Sequence, residues 1–191
     1  VHGVHAVPVD LVRRQIEVVA EDFRPAAVKT GMLATAELVE AVAERIGSLG
    51  LPWYVLDPVM VATSGDRLLD RDAESAVLEH LGPRARLVTP NLSEAALLVG
   101  WPVDTPREME AAARELVERG AGAALVKGGH LEGAEVVDVL VDAEGVRTWR
   151  RPKLATRHTH GTGCTLSAAI VAGLAHGRPL REAVDDALDF A

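Results

Sequence analysis

Apolar residues recur with helical spacing at Leu11, Val12, Ile16, Val19 and Phe23, which predicts a first helix over residues 8–23 that Pro25 stops. Ala26, Ala27, Val28, Lys29 and Thr30 then read as a short buried strand ending at Gly31. Thr35 is placed to cap a second helix that carries Leu38, Val39, Val42 and Ile46 and runs to Gly50. The β-forming run Trp53, Tyr54, Val55, Leu56 predicts a strand closed by Asp57-Pro58, followed by a turn at Ser64-Gly65-Asp66 and a helix over 73–81. Arg86, Leu87, Val88 and Thr89 form the next strand, stopped by Pro90. Two helices follow, one from Asn91 through Leu98 and one over 106–119. A buried strand over 123–127 then ends in Gly128-Gly129-His130. Residues 136–141 and 146–149 alternate as a hairpin around Asp142-Ala143-Glu144-Gly145. The pattern closes with a glycine loop, a helix reaching His176, and a last helix from Pro179.

Strands that alternate with helices, and that are almost continuously apolar, predict a mostly parallel sheet with helices on both faces. In such sheets ligands sit beyond the carboxyl ends of the strands. Gly31, Asp57, Pro90-Asn91 and Lys127-Gly128 all follow strand ends, so they are expected on one rim.

Composition narrows the classes. The length of 191 residues suits one domain, and no apolar run approaches the roughly 18 residues of a spanning helix, so no membrane partner is expected. A net charge of −8 without a basic, aromatic-studded stripe argues against nucleic acid. The single cysteine excludes an internal disulfide framework and agrees with a cytoplasmic setting. Three lysines stand against seventeen arginines, which draws attention to Lys127 in its glycine-rich turn.

The strongest chemical signal is Gly161-Thr162-Gly163-Cys164-Thr165 running into an apolar helix. Glycines let backbone N–H groups converge, and the helix N-terminus adds its dipole, so the junction suits a phosphoryl group. The same positive potential favours the thiolate of Cys164 in the first turn. A tight structural loop and a small apolar cysteine are the plain alternatives. No phosphate loop of the Gly-x-x-x-x-Gly-Lys-Ser/Thr kind occurs. Asp57 suits Mg²⁺, held directly or through water, or else caps its turn. Asn91 and Glu94, spaced i, i+3, suit hydrated Mg²⁺ or form a helix capping box. Lys127 neutralises phosphate or is a solvated lysine at a strand end. Met32 is core packing or pocket wall, and His158 with His160 lacks the third ligand of a zinc site.

Taken in order, Gly31-Met32-Leu33-Ala34, Asp57-Pro58-Val59-Met60, Ser64-Gly65-Asp66, Thr89-Pro90-Asn91-Leu92-Ser93-Glu94-Ala95, Lys127-Gly128-Gly129-His130 and the stretch from His158 to Thr165 resemble successive motifs of hydroxymethylpyrimidine/phosphomethylpyrimidine kinase. This is the thiamine-pathway family of the ribokinase-like superfamily, and the resemblance runs over nearly the whole chain. It implies a three-layer α/β/α fold and phosphorylation by ATP of a pyrimidine alcohol and then of its monophosphate. A homodimer is expected. Asn91 and Glu94 would position Mg²⁺ and the nucleotide, Asp57 would lie near the metal, and Lys127 near the phosphates. Gly161, Thr162 and Gly163 would form the anion hole, Cys164 would stand where most of the superfamily has an Asp base, and Met32 and Val59 would line the pyrimidine pocket. The cysteine-type pyridoxal kinases share the Gly-x-Gly-Cys arrangement and are the nearest alternative; a non-catalytic pyrimidine- or nucleotide-binding module is another. The resemblance also implies one domain over 1–191 that lacks its N-terminal segment, roughly a fifth of the fold, and its C-terminal end.

Overall fold

The computed structural model describes residues 5–61, 68, 69, 71–129, 131, 133–153 and 161–191. The sequence features at residues 1–4, Ser64-Gly65-Asp66, His130 and His158-Thr159-His160 lie outside the described residues. Six strands form one mixed sheet in the order β1-β2-β3-β4-β5-β6. Strands β1 (Val28–Thr30), β2 (Tyr54–Leu56), β3 (Leu87–Val88) and β4 (Ala124–Lys127) are parallel. The hairpin of β5 (Glu135–Asp142) and β6 (Gly145–Pro152) extends the sheet antiparallel from β4. Pairing of β1 begins where the Val28 N–H donates to the Trp53 carbonyl, so the two alanines before it stay outside the ladder.

The strand order advances in one direction, so right-handed crossovers put every connecting helix on the same face. These are α2 (Ala36–Ser48), α3 (Arg71–Ala76), α4 (Leu92–Val99) and α5 (Pro106–Glu118). The end of α3 widens into a π-helical turn over Val77–Leu81, which the apolar spacing did not announce. The opposite face is covered by α6 (Thr162–Ala175) and α7 (Leu180–Phe190). Alternation along the strands feeds both layers. Tyr54, Leu56, Val88 and Val126 enter the first core, and Val55, Leu87, Leu125 and Leu140 the second. The three-layer expectation is met, with helices α2 to α5 on one side and the two C-terminal helices on the other.

Helix α1 (Val9–Phe23) lies outermost on α2, with no residue of its own fully buried. Val12 and Ile16 pack on the first core, and ion pairs from Arg13 to Glu44 and from Arg45 to Glu17 tie the two helices. Among the described residues no helix is long and apolar enough to cross a membrane.

Candidate active site

Each parallel strand delivers one polar residue to the same rim. β2 is followed directly by Asp57, which is 1% exposed. β4 ends in Lys127, whose Nζ lies 3.1 Å from Asp57 Oδ1. The Lys127 N–H donates to the Pro90 carbonyl at 2.8 Å, and Asn91 bridges to Lys127, so the ends of β3 and β4 are held side by side. From the opposite layer, Ser167 of α6 donates its hydroxyl to Asp57 Oδ2 at 3.0 Å and also lies 3.1 Å from the Cys164 carbonyl. A Cβ built on Gly163 would stand 3.0 Å from Lys127 Nζ, which places that ammonium directly over the first turn of α6. Asp57, Lys127 and the glycine loop therefore meet.

Gly161 takes the N-cap position of α6 with φ of 85°, a left-handed backbone that glycine adopts without strain. The first-turn N–H groups at 162–164 face out of the helix end, where the dipole is positive. Cys164 is exposed on that turn. Thr162 is exposed too, and Gly163 lies half-buried under the lysine. Met32 and Val59 follow the ends of β1 and β2 on the same rim, Met32 exposed and Val59 half-buried.

Asn91 and Glu94 form a complete capping box on α4. The Glu94 N–H donates to Asn91 Oδ1 at 2.9 Å and the Asn91 N–H to Glu94 Oε2 at 2.8 Å. The structural reading of that pair is thus realised, and it leaves Glu94 3% exposed with one carboxylate oxygen uncommitted to the box. Burial pushes Glu94 up to about 7, against the pull of Lys127 and of the Asn91 N–H, and the Asp57 charge adds to the rise. For Asp57, burial also favours the neutral acid. Here the Lys127 and Lys29 ammoniums and the Ser167 hydroxyl prevail and hold it below the usual carboxylate range.

The raised Glu94 value has a measurable sign. Between about 4.5 and 7 the folded protein keeps a proton on Glu94 that the unfolded chain releases, so stability should fall as pH rises through this window. Asp57 has the opposite sign and loses its contribution only at pH below its ordinary 3.8. Urea unfolding of the protein in Mg²⁺- and nucleotide-free buffer checks this. Glu94→Gln, which keeps an acceptor for the Asn91 N–H, should remove the slope and gain up to roughly 3 kcal/mol on wild type above pH 7. A wild-type slope that survives the substitution would disprove the assignment.

Sequence reasoning missed three participants. Lys29 of β1 donates to Ser167 Oγ at 2.9 Å and lies 3.5 Å from Asp57 Oδ2. Its signal was present, since it is one of three lysines and the one charged residue of its strand. Ser167 gave none, being one small residue among many in α6. Asp138, 2% exposed on β5, accepts the Gly128 N–H at 3.1 Å and pairs with Arg151 at 2.6 Å, fixing the turn after Lys127.

The phosphomethylpyrimidine kinase family profile matches residues 1–191. The chain belongs to this family. It is 41% identical to the hydroxymethylpyrimidine/phosphomethylpyrimidine kinase of Bacillus subtilis over 191 residues, which are 100% of this chain and 70% of that protein. It is 44% identical to a thiamine biosynthesis bifunctional protein of Geobacter sulfurreducens over 184 residues, 96% of this chain and 38% of that one. Among solved structures, the ADP complex of Bacillus subtilis pyridoxal kinase superposes with a TM-score of 0.90 at 36% identity, covering 96% of this chain and 70% of that one. The fold is that of the ribokinase-like kinases, and the family is one of phosphotransferases.

Proposed function

We propose that the protein phosphorylates 4-amino-5-hydroxymethyl-2-methylpyrimidine with Mg-ATP, and then its monophosphate, to supply the pyrimidine diphosphate for thiamine biosynthesis. The observation that carries this reading is the position of Lys127, paired with Asp57 and poised over Gly163 at the start of α6. Phosphoryl transfer asks mainly for placement and charge stabilisation. Lys127 meets the nucleotide phosphates, and the amides of Gly161, Thr162 and Gly163 meet the equatorial oxygens of the moving group. Cys164 takes the proton of the attacking hydroxyl as that oxygen's bond to the γ-phosphorus forms and the bond from the γ-phosphorus to the departing ADP breaks. Met32 and Val59 line the pyrimidine pocket, and Asn91 orients the nucleotide through the Glu94 box.

Among the described residues no three His, Cys, Asp or Glu side chains gather in a metal-sized cluster, so a caged ion has no support there. Mg²⁺ needs less, taking one or two carboxylates with waters and phosphates. Glu94 fits, because its carboxylate is buried beside the rim and only one of its oxygens is taken up by the capping box. Asp57 has both oxygens engaged by lysines and Ser167, and so would lie near the ion and contribute its charge there. The ion would screen charge between the phosphates when bound.

The assay is full-length protein with Mg-ATP and either the pyrimidine or pyridoxal. Turnover of the pyrimidine is expected. Turnover of pyridoxal with none of the pyrimidine would move the assignment to a pyridoxal kinase, and binding of nucleotide without transfer to either would make the protein a binding module.

A further inference from the structure

Two of the three lysines in the chain converge on one carboxylate. Lys127 holds Asp57 Oδ1 at 3.1 Å, and Lys29 lies 3.5 Å from Oδ2 and donates to Ser167 Oγ, whose proton then points to that same oxygen. The two lysine side chains are only 23% and 13% exposed, so water screens them poorly. The cluster therefore holds one positive charge more than Asp57 neutralises, directly beneath the first turn of α6.

The geometry points to Lys29 as a positioning residue that occupies half of Asp57 and thereby keeps the charge of Lys127 available to a phosphate. Without Lys29, Asp57 and Lys127 close into a balanced ion pair, and the ammonium loses its surplus pull on an incoming anion. Lys29 itself acts through Asp57 and Ser167 and touches no reacting atom. The inference rests on the nucleotide-phosphate role given to Lys127 but is independent of which alcohol accepts the phosphoryl group.

The test uses full-length protein and reads ADP binding by calorimetry, alongside transfer kinetics with the pyrimidine. Lys29→Met should weaken ADP binding about tenfold, the scale on which one poorly screened charge acts over a few ångströms. It should lower kcat with little change in KM for the pyrimidine. Lys29→Gln keeps a donor for Ser167 and drops only the charge, so it should match Lys29→Met. The decisive variant is Lys29→Met combined with Asp57→Asn, which restores the net charge while leaving Lys127 an acceptor. Recovery of ADP affinity in the double variant supports the proposal. A double variant that binds no better than Lys29→Met, or a Lys29→Gln protein that behaves as wild type, overturns it. So does a Lys29→Met protein whose main change is a higher KM for the pyrimidine, which would mean that Lys29 contacts the acceptor. Normal ordering of ADP affinities with no transfer to the pyrimidine would leave the charge-sharing role standing and remove the proposed acceptor instead.

Discussion

Replacing Cys164 with Ala in the full-length enzyme is expected to slow phosphorylation of the pyrimidine alcohol by about 10²–10⁴-fold, the usual contribution of a positioned general base. The same substitution should cost clearly less for the monophosphate. The first acceptor is a neutral alcohol whose proton must leave. The second is already an anion and needs no base. What the second reaction does need remains in place, since the glycine-rich cap of α6 and Lys127 above Gly163 do not depend on the thiol. Cys164 is exposed on the turn where both acceptors must approach, so its removal opens no cavity in the core. Both reactions should be followed at saturating Mg-ATP. Equal losses would show that Cys164 shapes the anion hole and takes no proton.

Gly128→Ala should be the most damaging single change in the phosphate-binding rim. A Cβ there would stand 2.0 Å from the Val137 carbonyl oxygen, with Leu131 and Met109 side-chain carbons at 2.9 and 3.0 Å. The nearest obstacle is main chain of a paired strand, which cannot rotate away. The turn is also pinned from the other side, because the Gly128 N–H is held by buried Asp138. A loss of roughly 3 kcal/mol or more is expected, at the upper end of overpacking costs. Transfer should fall as well, since any shift of this turn moves Lys127. Gly129→Ala is the control, because a Cβ there meets nothing within 4 Å. Chemical denaturation of the two variants should separate them widely. Equal stabilities would mean that the turn relaxes freely and that the close approach is without consequence.

Much of the architecture was legible because it is local. Helical spacing, Thr35 and Asn91 as caps, and Pro25 and Pro90 as breakers placed most element ends within about three residues of those observed. The parallel order of β1 to β4 followed from strand–helix alternation. The rim was legible for the same reason, because Asp57, Asn91 and Lys127 each punctuate a strand. What a one-dimensional pattern lacks is the third dimension across the sheet. Lys29 read as one more strand residue until α6 was set over β1 and β2, and Ser167 had no polar neighbour in sequence to mark it. Asp138 looked like a hairpin residue, yet its carboxylate is spent on a backbone turn ten residues earlier. The doubled reading of Asn91 and Glu94 persisted because a capping box and a cation site ask for the same spacing.

The lateness of α6 in the chain has a consequence for how the protein comes into being. Lys29 and Ser167 are separated by 138 residues, and Asp57 and Ser167 by 110, yet these contacts close the charged cluster. Every partial chain that ends before α6 has left the ribosome can pack the α2–α5 layer on its side of the sheet, but it leaves Asp57 and two ammoniums without Ser167 and without the glycine-capped helix. Contacts of such long sequence separation are closed slowly, because the intervening loop entropy is lost before they give anything back. Acquisition of a phosphate-binding centre should therefore be the final event of folding, with nucleotide able to trap the docked helix and drive the last step to completion.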